Sequence, residues 1–300
     1  FFLAEELSAR KKSGALGRLR GVLPVHIAGQ PCDIFAIKAI AREHSLFVVE
    51  DAAHCLEGRV EHVARKQKAG ATARKDNLAR IGTIGDATCF SFYATKNITT
   101  AEGGMVTCED DALAERIRIL SLHGMSRDAW KRYMREGSWY YEIVAQGYKY
   151  NMPDVLGALG VVQLRKAEHM HALRQRYAEM LMTALADLQE VILPQPVAGR
   201  RHAWHLFILR LRPERLNITR NEFIKKLFER GIQASVHFIP LHLHPYFQQT
   251  YGLRRGDFPI AERVYDSAVS LPLYPALSEE EVQYIAQTVR ALVKDHARPR

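Results

Sequence analysis

Asp33-Ile-Phe-Ala-Ile-Lys-Ala-Ile-Ala-Arg-Glu-His-Ser-Leu-Phe-Val-Val-Glu-Asp-Ala-Ala-His54 is the stretch that decides the fold class. Its first half places Ile34, Ile37 and Ile40 at helical spacing behind Asp33, a residue type that caps helices, and ends near His44. Its second half, Leu46 to Glu50, is a short apolar run that reads as a buried strand, with Asp51-Ala-Ala-His54 at its carboxyl end. Ala87 to Tyr93 and Gly104 to Cys108 read as two more strands. A helix capped by Asp110 or Asp111 follows, with Leu113, Ile117 and Leu120 on one face, closed by Gly124. Strands alternating with helices predict an α/β layer built on a mostly parallel sheet.

Beyond this layer, residues 125–150 are aromatic and irregular. A long helical pattern then runs from about Pro153 to Leu188, and Pro194, Pro196 and Gly199 break the chain. A smaller α/β part follows Trp204. It holds a strand (His205 to Leu211), a helix (Thr219 to Arg230, stopped by Gly231), a strand (Gln233 to Phe238) and a last helix from Ser278. The expected organisation is a large domain over 1–152, a connecting helix over 153–188 and a small C-terminal domain over 189–300.

Composition narrows the class. Three hundred residues, 47% of them hydrophobic, are enough to bury one large or two ordinary cores. No run approaches the roughly 18 to 20 apolar residues of a membrane helix, so no membrane insertion is expected. The formal charge is +9, and more than half of the excess lies between Arg59 and Arg80, where seven basic residues face only Glu61 and Asp76. That segment, part of a basic inserted loop over 59–84, could attract a phosphorylated substrate or an anionic surface. It lacks interleaved aromatics for stacking on bases, so nucleic acid is not an expected partner. Cys32, Cys55, Cys89 and Cys108 form no C-x-x-C pair and read as buried free thiols of a reducing, cytoplasmic compartment.

Ser91-Phe-Tyr-Ala-Thr-Lys96-Asn97, with Glu102-Gly-Gly104 close behind, places a lysine after a strand and before a small polar turn. An amine held there, away from bulk water, could lose its proton and attack a carbonyl. An ordinary solvated lysine is the competing reading. In open α/β sheets, ligands sit outside the carboxyl ends of the strands, and Asp51 occupies such a place on another strand. A carboxylate to pair with a pyridine nitrogen and a lysine to form a Schiff base fit pyridoxal phosphate (PLP). Asp51 could equally be a turn residue. Gly14, Gly17 and Gly21 do not match G-x-G-x-x-G, and no Walker-type glycine loop occurs. His237, His242 and His244 share a segment without cysteine or carboxylate, so no metal site is expected.

Val25-His-Ile-Ala-Gly29, Val49-Glu-Asp-Ala-Ala-His54, Gly85-Asp86, Ser91 to Asn97, Glu102-Gly-Gly104, His123-Gly124 and Gly147-Tyr-Lys-Tyr-Asn151 occur in the order seen in the DegT/StrS sugar aminotransferases. The chain resembles that family from Leu23 to about Leu292. The resemblance implies a PLP-dependent transferase of the aspartate aminotransferase-like fold (fold type I). The reaction implied is transfer of an amino group from an amino acid, glutamate, to a nucleotide-linked keto-sugar for cell-surface polysaccharide. Lys96 is implied to be the Schiff-base lysine and proton shuttle, and it argues against related dehydratases, which carry histidine there. Asp51 is implied to bind the pyridinium, His54 to lie beside the ring and Ser91 to bind the phosphate. Asn151 is implied to reach the phosphate in a neighbouring subunit, hence a homodimer with shared sites. His123 and His237 are implied near the substrate. Taken singly, His54 reads as a turn histidine, Ser91 as a strand residue and Asn151 as a cap before Pro153. The family carries further sequence ahead of Val25, so the first 152 residues are expected to be an N-terminally incomplete large domain. The rival expectation is an inactive remnant that serves as a binding partner or has no function.

Overall fold

The computed structural model describes residues 2–13, 17, 19–61, 78–126 and 140–299. Two compact units emerge, Phe1–Ala167 with Ala198–Ala203, and Glu168–Val197 with Trp204–Arg300.

In the first unit, helix α1 (Phe2–Lys12) precedes strand β1 (Gly21–Val22). Helix α2 (Ile34–Glu43) then leads into β2 (Phe47–Asp51). Asp33 stands at the N-cap position without a side-chain cap bond; its carboxylate instead meets Arg200, 3.3 Å away. Ile34 and Ala41 of α2 are buried with Leu46, Val48, Ala52 and Cys55, the core that fixes this helix against the sheet. The sheet order is β1-β2-β5-β6, where β5 is Ala87–Ser91 and β6 is Gly104–Thr107. β1 and β5 both run parallel to β2, with Asp51 opposite Cys89. β6 is antiparallel to β5, since a short loop rather than a crossover helix joins them. The sheet is therefore mixed, two parallel pairings and one antiparallel. Helix α3 (Asp111–Ser121) follows, and Asp110 caps it by accepting the Leu113 N–H at 3.0 Å.

The segment 59–84 begins and ends as a hairpin. β3 (Arg59–Glu61) pairs antiparallel with β4 (Leu78–Arg80), Glu61 opposite Leu78, and β3 also pairs with β8 (Arg200–Arg201). Its basic tip, 62–77, lies outside the described residues, as does 127–139 of the aromatic segment. The pairing of β3 with β4 brings the ends of this segment together and leaves β2 and β5 adjacent.

Helix α4 (Asp154–Leu185) starts in the first unit and continues into the second. There β7 (Val191–Ile192), β9 (Phe207–Leu211) and β10 (Ala268–Leu271) form an antiparallel sheet ordered β10-β9-β7. Helices α5 (Arg220–Phe228), α6 (Pro245–Tyr251), α7 (Pro259–Ser267) and α8 (Glu279–His296) complete it. Thr219 and Ser278 begin α5 and α8 with capping boxes to Glu222 and Glu281. Phe223, Leu227, Val289 and Leu292 from these helices pack on Phe207, Leu209 and Val269. The guanidinium of Arg174 is buried among carbonyls, donating to Leu273 at 2.7 Å and Trp204 at 3.3 Å, and burial pulls its pKa down to about 10.

Two expectations need correction. Gln233 to Phe238 is not a strand. Ser235 makes a single bridge to Ser270, after which the His237 ring bonds the Ser270 hydroxyl and takes the place of further ladder. Nor are the four thiols uniformly buried. Cys55 is, Cys32 and Cys108 are half-buried, and Cys89 is exposed on β5 where Asp51 faces it.

Candidate active site

β2 and β5 run side by side in one direction, so their carboxyl ends open on the same edge. Asp51 ends β2. Its N–H donates to Pro24 O at 2.9 Å, and its Oδ1 accepts the Ala53 N–H at 3.0 Å, which turns the chain and leaves the carboxylate exposed. β5 ends at Ser91, and the chain enters the loop that carries Lys96.

That loop is closed at its base. Phe92 N–H donates to Gly103 O at 2.8 Å, Thr100 N–H to Phe92 O at 2.9 Å, and Lys96 N–H to Tyr93 O at 3.0 Å. The Asn97 amide donates to Ala203 O at 2.8 Å, and Ile98 and Thr100 are buried beneath. Gly103 and Gly104 make the closure possible. A Cβ on Gly103 would lie 2.3 Å from Thr100 Oγ1, and one on Gly104 would lie 2.7 Å from Phe90 O. The Lys96 side chain is half-buried. Burial lowers its pKa, while the negative charge of Asp51 acts in the opposite direction. The pKa of the Cys89 thiol is raised by partial desolvation, although the residue is exposed, and by the same carboxylate. Asp51 therefore acts electrostatically on the amine and on the thiol together.

Ser91 lies at the same edge, its Oγ accepting the Tyr93 N–H at 3.4 Å. His54 is nearly buried after the Asp51 turn, and its Nδ1 accepts the Ala28 N–H at 3.2 Å. Asp51, His54, Ser91 and Lys96 thus gather around the ends of two neighbouring strands. Asn151 and His123 belong to a second layer of this unit. Asn151 accepts from the Lys149 ammonium, and the His123 N–H, at a positive φ of 57°, donates to Tyr148 O at 2.7 Å. Met152, beside Asn151, brings its methyl to 2.8 Å from where a Gly103 Cβ would stand, which ties the layer to the Lys96 loop. His237 lies in the other unit, with Nδ1 2.8 Å from Ser270 Oγ. His242 pairs there with Glu262 at 2.8 Å, a carboxylate too distant in sequence to show in the histidine segment.

One cluster was hidden from residue-by-residue reading. Glu50 and His26 are fully buried, His26 Nε2 donating to Glu50 Oε2 at 2.8 Å. The signal was a glutamate inside an otherwise apolar strand, since a buried carboxylate requires partners.

The ordered motifs now have a geometry, and the family profile of the DegT/DnrJ/EryC1/StrS aminotransferases matches residues 11–290. The chain belongs to this family. It is 47% identical over 279 residues to MJ1066 of Methanocaldococcus jannaschii, covering 93% of this chain and 68% of that protein. It is 46% identical over 278 residues to SpsC, a spore coat polysaccharide biosynthesis protein of Bacillus subtilis, covering 92% and 67%. Among solved structures it superposes on Spr1654 of Streptococcus pneumoniae in its PLP form with a TM-score of 0.78, at 28% identity over 92% of this chain and 69% of that one. DesV of S. venezuelae, solved with a ketimine intermediate, gives 0.77 at 29% identity over 93% and 66%. The fold is that of the fold type I PLP enzymes, and PLP is the cofactor of this aminotransferase family.

The residues present fit that group. An amine with a lowered pKa and a carboxylate whose charge reaches it stand at one sheet edge, the donor set that an aromatic aldehyde with a basic ring nitrogen requires.

Proposed function

We propose that this aminotransferase moves an amino group from an amino acid, glutamate, to a nucleotide-linked keto-sugar that feeds cell-surface polysaccharide. The observation that carries the reading is the Lys96 amine, half-buried and within the field of Asp51 at the end of the adjacent parallel strand. The polysaccharide role named for SpsC supports the pathway class. Asp128-Ala-Trp130, Gly147 to Asp154 and His202-Ala-Trp-His-Leu-Phe207 are similar to the aminotransferase that makes UDP-4-amino-4-deoxy-L-arabinose, which supports the substrate class.

In this reading Asp51 would hold the protonated ring nitrogen of PLP, Ser91 would hold its phosphate, and His54 would stand beside the ring. PLP supplies an electron sink when bound. Lys96 Nζ holds and moves the proton. With its pKa lowered by burial, the amine reaches its neutral form more readily than an exposed lysine, and after accepting a proton it can return it at the neighbouring atom. The loop closures at Phe92, Asn97 and Thr100 hold that amine in place. His123 and His237 are the proposed substrate contacts.

Asn151 is proposed to complete the phosphate site of a second copy. Val155, Leu159 and Val162, at i, i+4 and i+7 and all exposed on the first part of α4, supply an apolar face suited to a homodimer. No helix among the described residues is long and apolar enough to cross a membrane, which agrees with a proposed cytoplasmic site of action.

The test uses the full chain purified with PLP. Visible absorbance of the bound cofactor, and after borohydride a modified peptide containing Lys96, are expected for the wild type and absent in Lys96→Ala. Colourless wild-type protein would instead favour the inactive remnant.

A further inference from the structure

Pro24 to Gln30 forms a strap along the end of β2. The Asp51 N–H donates to Pro24 O at 2.9 Å, and the His26 N–H donates to Asp51 O at 3.0 Å. The strap then enters an unfavourable conformation. Ala28 has φ 59° and Gly29 φ 99°, and a left-handed alanine is strained and persists only where its surroundings impose it. In that conformation the Ala28 N–H donates to His54 Nδ1 at 3.2 Å.

A backbone N–H is only a donor, so the Nδ1 that accepts it carries a lone pair. The ring proton of His54 is then on Nε2, and the ring stays neutral for as long as the bond persists. What holds the strap is buried beneath it. Glu50 accepts from His26 Nε2 at 2.8 Å, from the Gly85 N–H at 2.7 Å and from Thr88 Oγ1 at 2.9 Å. The other ring nitrogen of His26 accepts the Cys32 N–H at 2.9 Å, where the strap rejoins α2. Gly85 is required in this arrangement, since a Cβ there would lie 2.7 Å from Glu50 Oε1.

We propose that the His26–Glu50 pair is a positioning latch that clamps the strap, imposes the Ala28 conformation and thereby fixes His54 as a neutral imidazole protonated on Nε2. The proposal rests on the PLP reading for its purpose. Beside a pyridine nitrogen that Asp51 keeps protonated, a cationic imidazole would oppose that proton by like-charge repulsion, and a neutral one does not. Neither His26 nor Glu50 touches the cofactor in this scheme; both act through Ala28 and His54.

The test is nitrogen-15 NMR of histidine side chains in the cofactor-free full chain, His54 being assigned by the signal lost in His54→Gln. The expected wild-type pattern is a pyrrole-type Nε2 and a pyridine-type Nδ1, unchanged between pH 6 and 8. A ring protonated on Nδ1, or one that titrates near the ordinary histidine value of about 6.5, would overturn the proposal. Hydrogen exchange in the same protein tests the latch without any variant. The amides of His26, Ala28, Cys32 and Gly85 are expected to open together, and independent faster exchange of Ala28 would refute the clamp. In Glu50→Gln, provided circular dichroism shows it folded, His54 is expected to become titratable and PLP to bind about tenfold more weakly, the scale seen when an outer partner of a ligating group is removed. A folded Glu50→Gln that keeps the wild-type tautomer removes the latch from the explanation. Wild-type protein that shows the fixed tautomer but binds no PLP would defeat the cofactor reading alone.

Discussion

Lys96 and Asp51 work on each other through charge as well as through any shared ligand. Burial depresses the amine's pKa, and the Asp51 carboxylate partly restores it. Asp51→Asn removes only the restoring influence, so the Lys96 pKa is expected to fall further. Amine-reactive labelling of Lys96, followed by mass spectrometry across pH in the cofactor-free protein, reads that midpoint. An unchanged or higher midpoint would show that the two groups do not interact. Turnover should fall at the same time, because the ring nitrogen of PLP loses the carboxylate that keeps it protonated. At this scale the residue types were readable but their surroundings were not. Glu50 precedes Asp51, and its buried bonds to Gly85 and Thr88 come from residues 35 and 38 positions away. Glu262 reaches His242 from 20 positions on. Pairings at such separations leave no local periodicity to read.

The elements that position the site depend on close approach and on helix ends. β5 and β6 meet at Ser91 and Gly104, where the backbone of Phe90 leaves no room for a side chain. Gly104→Ala is expected to push the strands apart and cost about 1–3 kcal/mol, as overpacking does elsewhere. Urea titration measures it, and a cost near zero would mean the loop base adapts freely. In the second unit, Ser278→Ala removes the side-chain half of the α8 capping box and is expected to cost about 1 kcal/mol, read the same way. Helix positions were legible because caps and 3.6-residue spacing are local signals, as Thr219, Ser278 and the Ile34 to Ile40 face show. Gln233 to Phe238 was not, because a strand exists only if a partner continues beside it, and Ser270 offers Ser235 a single bridge.

For the molecule as a whole, the exposed apolar face at the start of α4 gives the assembly its test. Leu159→Asp combined with Val162→Asp places two charges on that face. In sedimentation velocity the wild type is expected to run as a dimer and the double variant as a monomer; a monomeric wild type would exclude the shared site and with it the role given to Asn151. The amino-acid sequence by itself determined the alternation of helices and strands and the motif order that marks the family, and it offered Lys96 and Asp51 as candidates. All of these rest on local spacing and residue chemistry. Only the tertiary structure decided that β6 runs antiparallel, that Cys89 is exposed opposite Asp51, and that Lys96 lies within the field of that carboxylate. It alone placed the His26–Glu50 pair under the strap, because burial and charge depend on which distant segments the fold brings together.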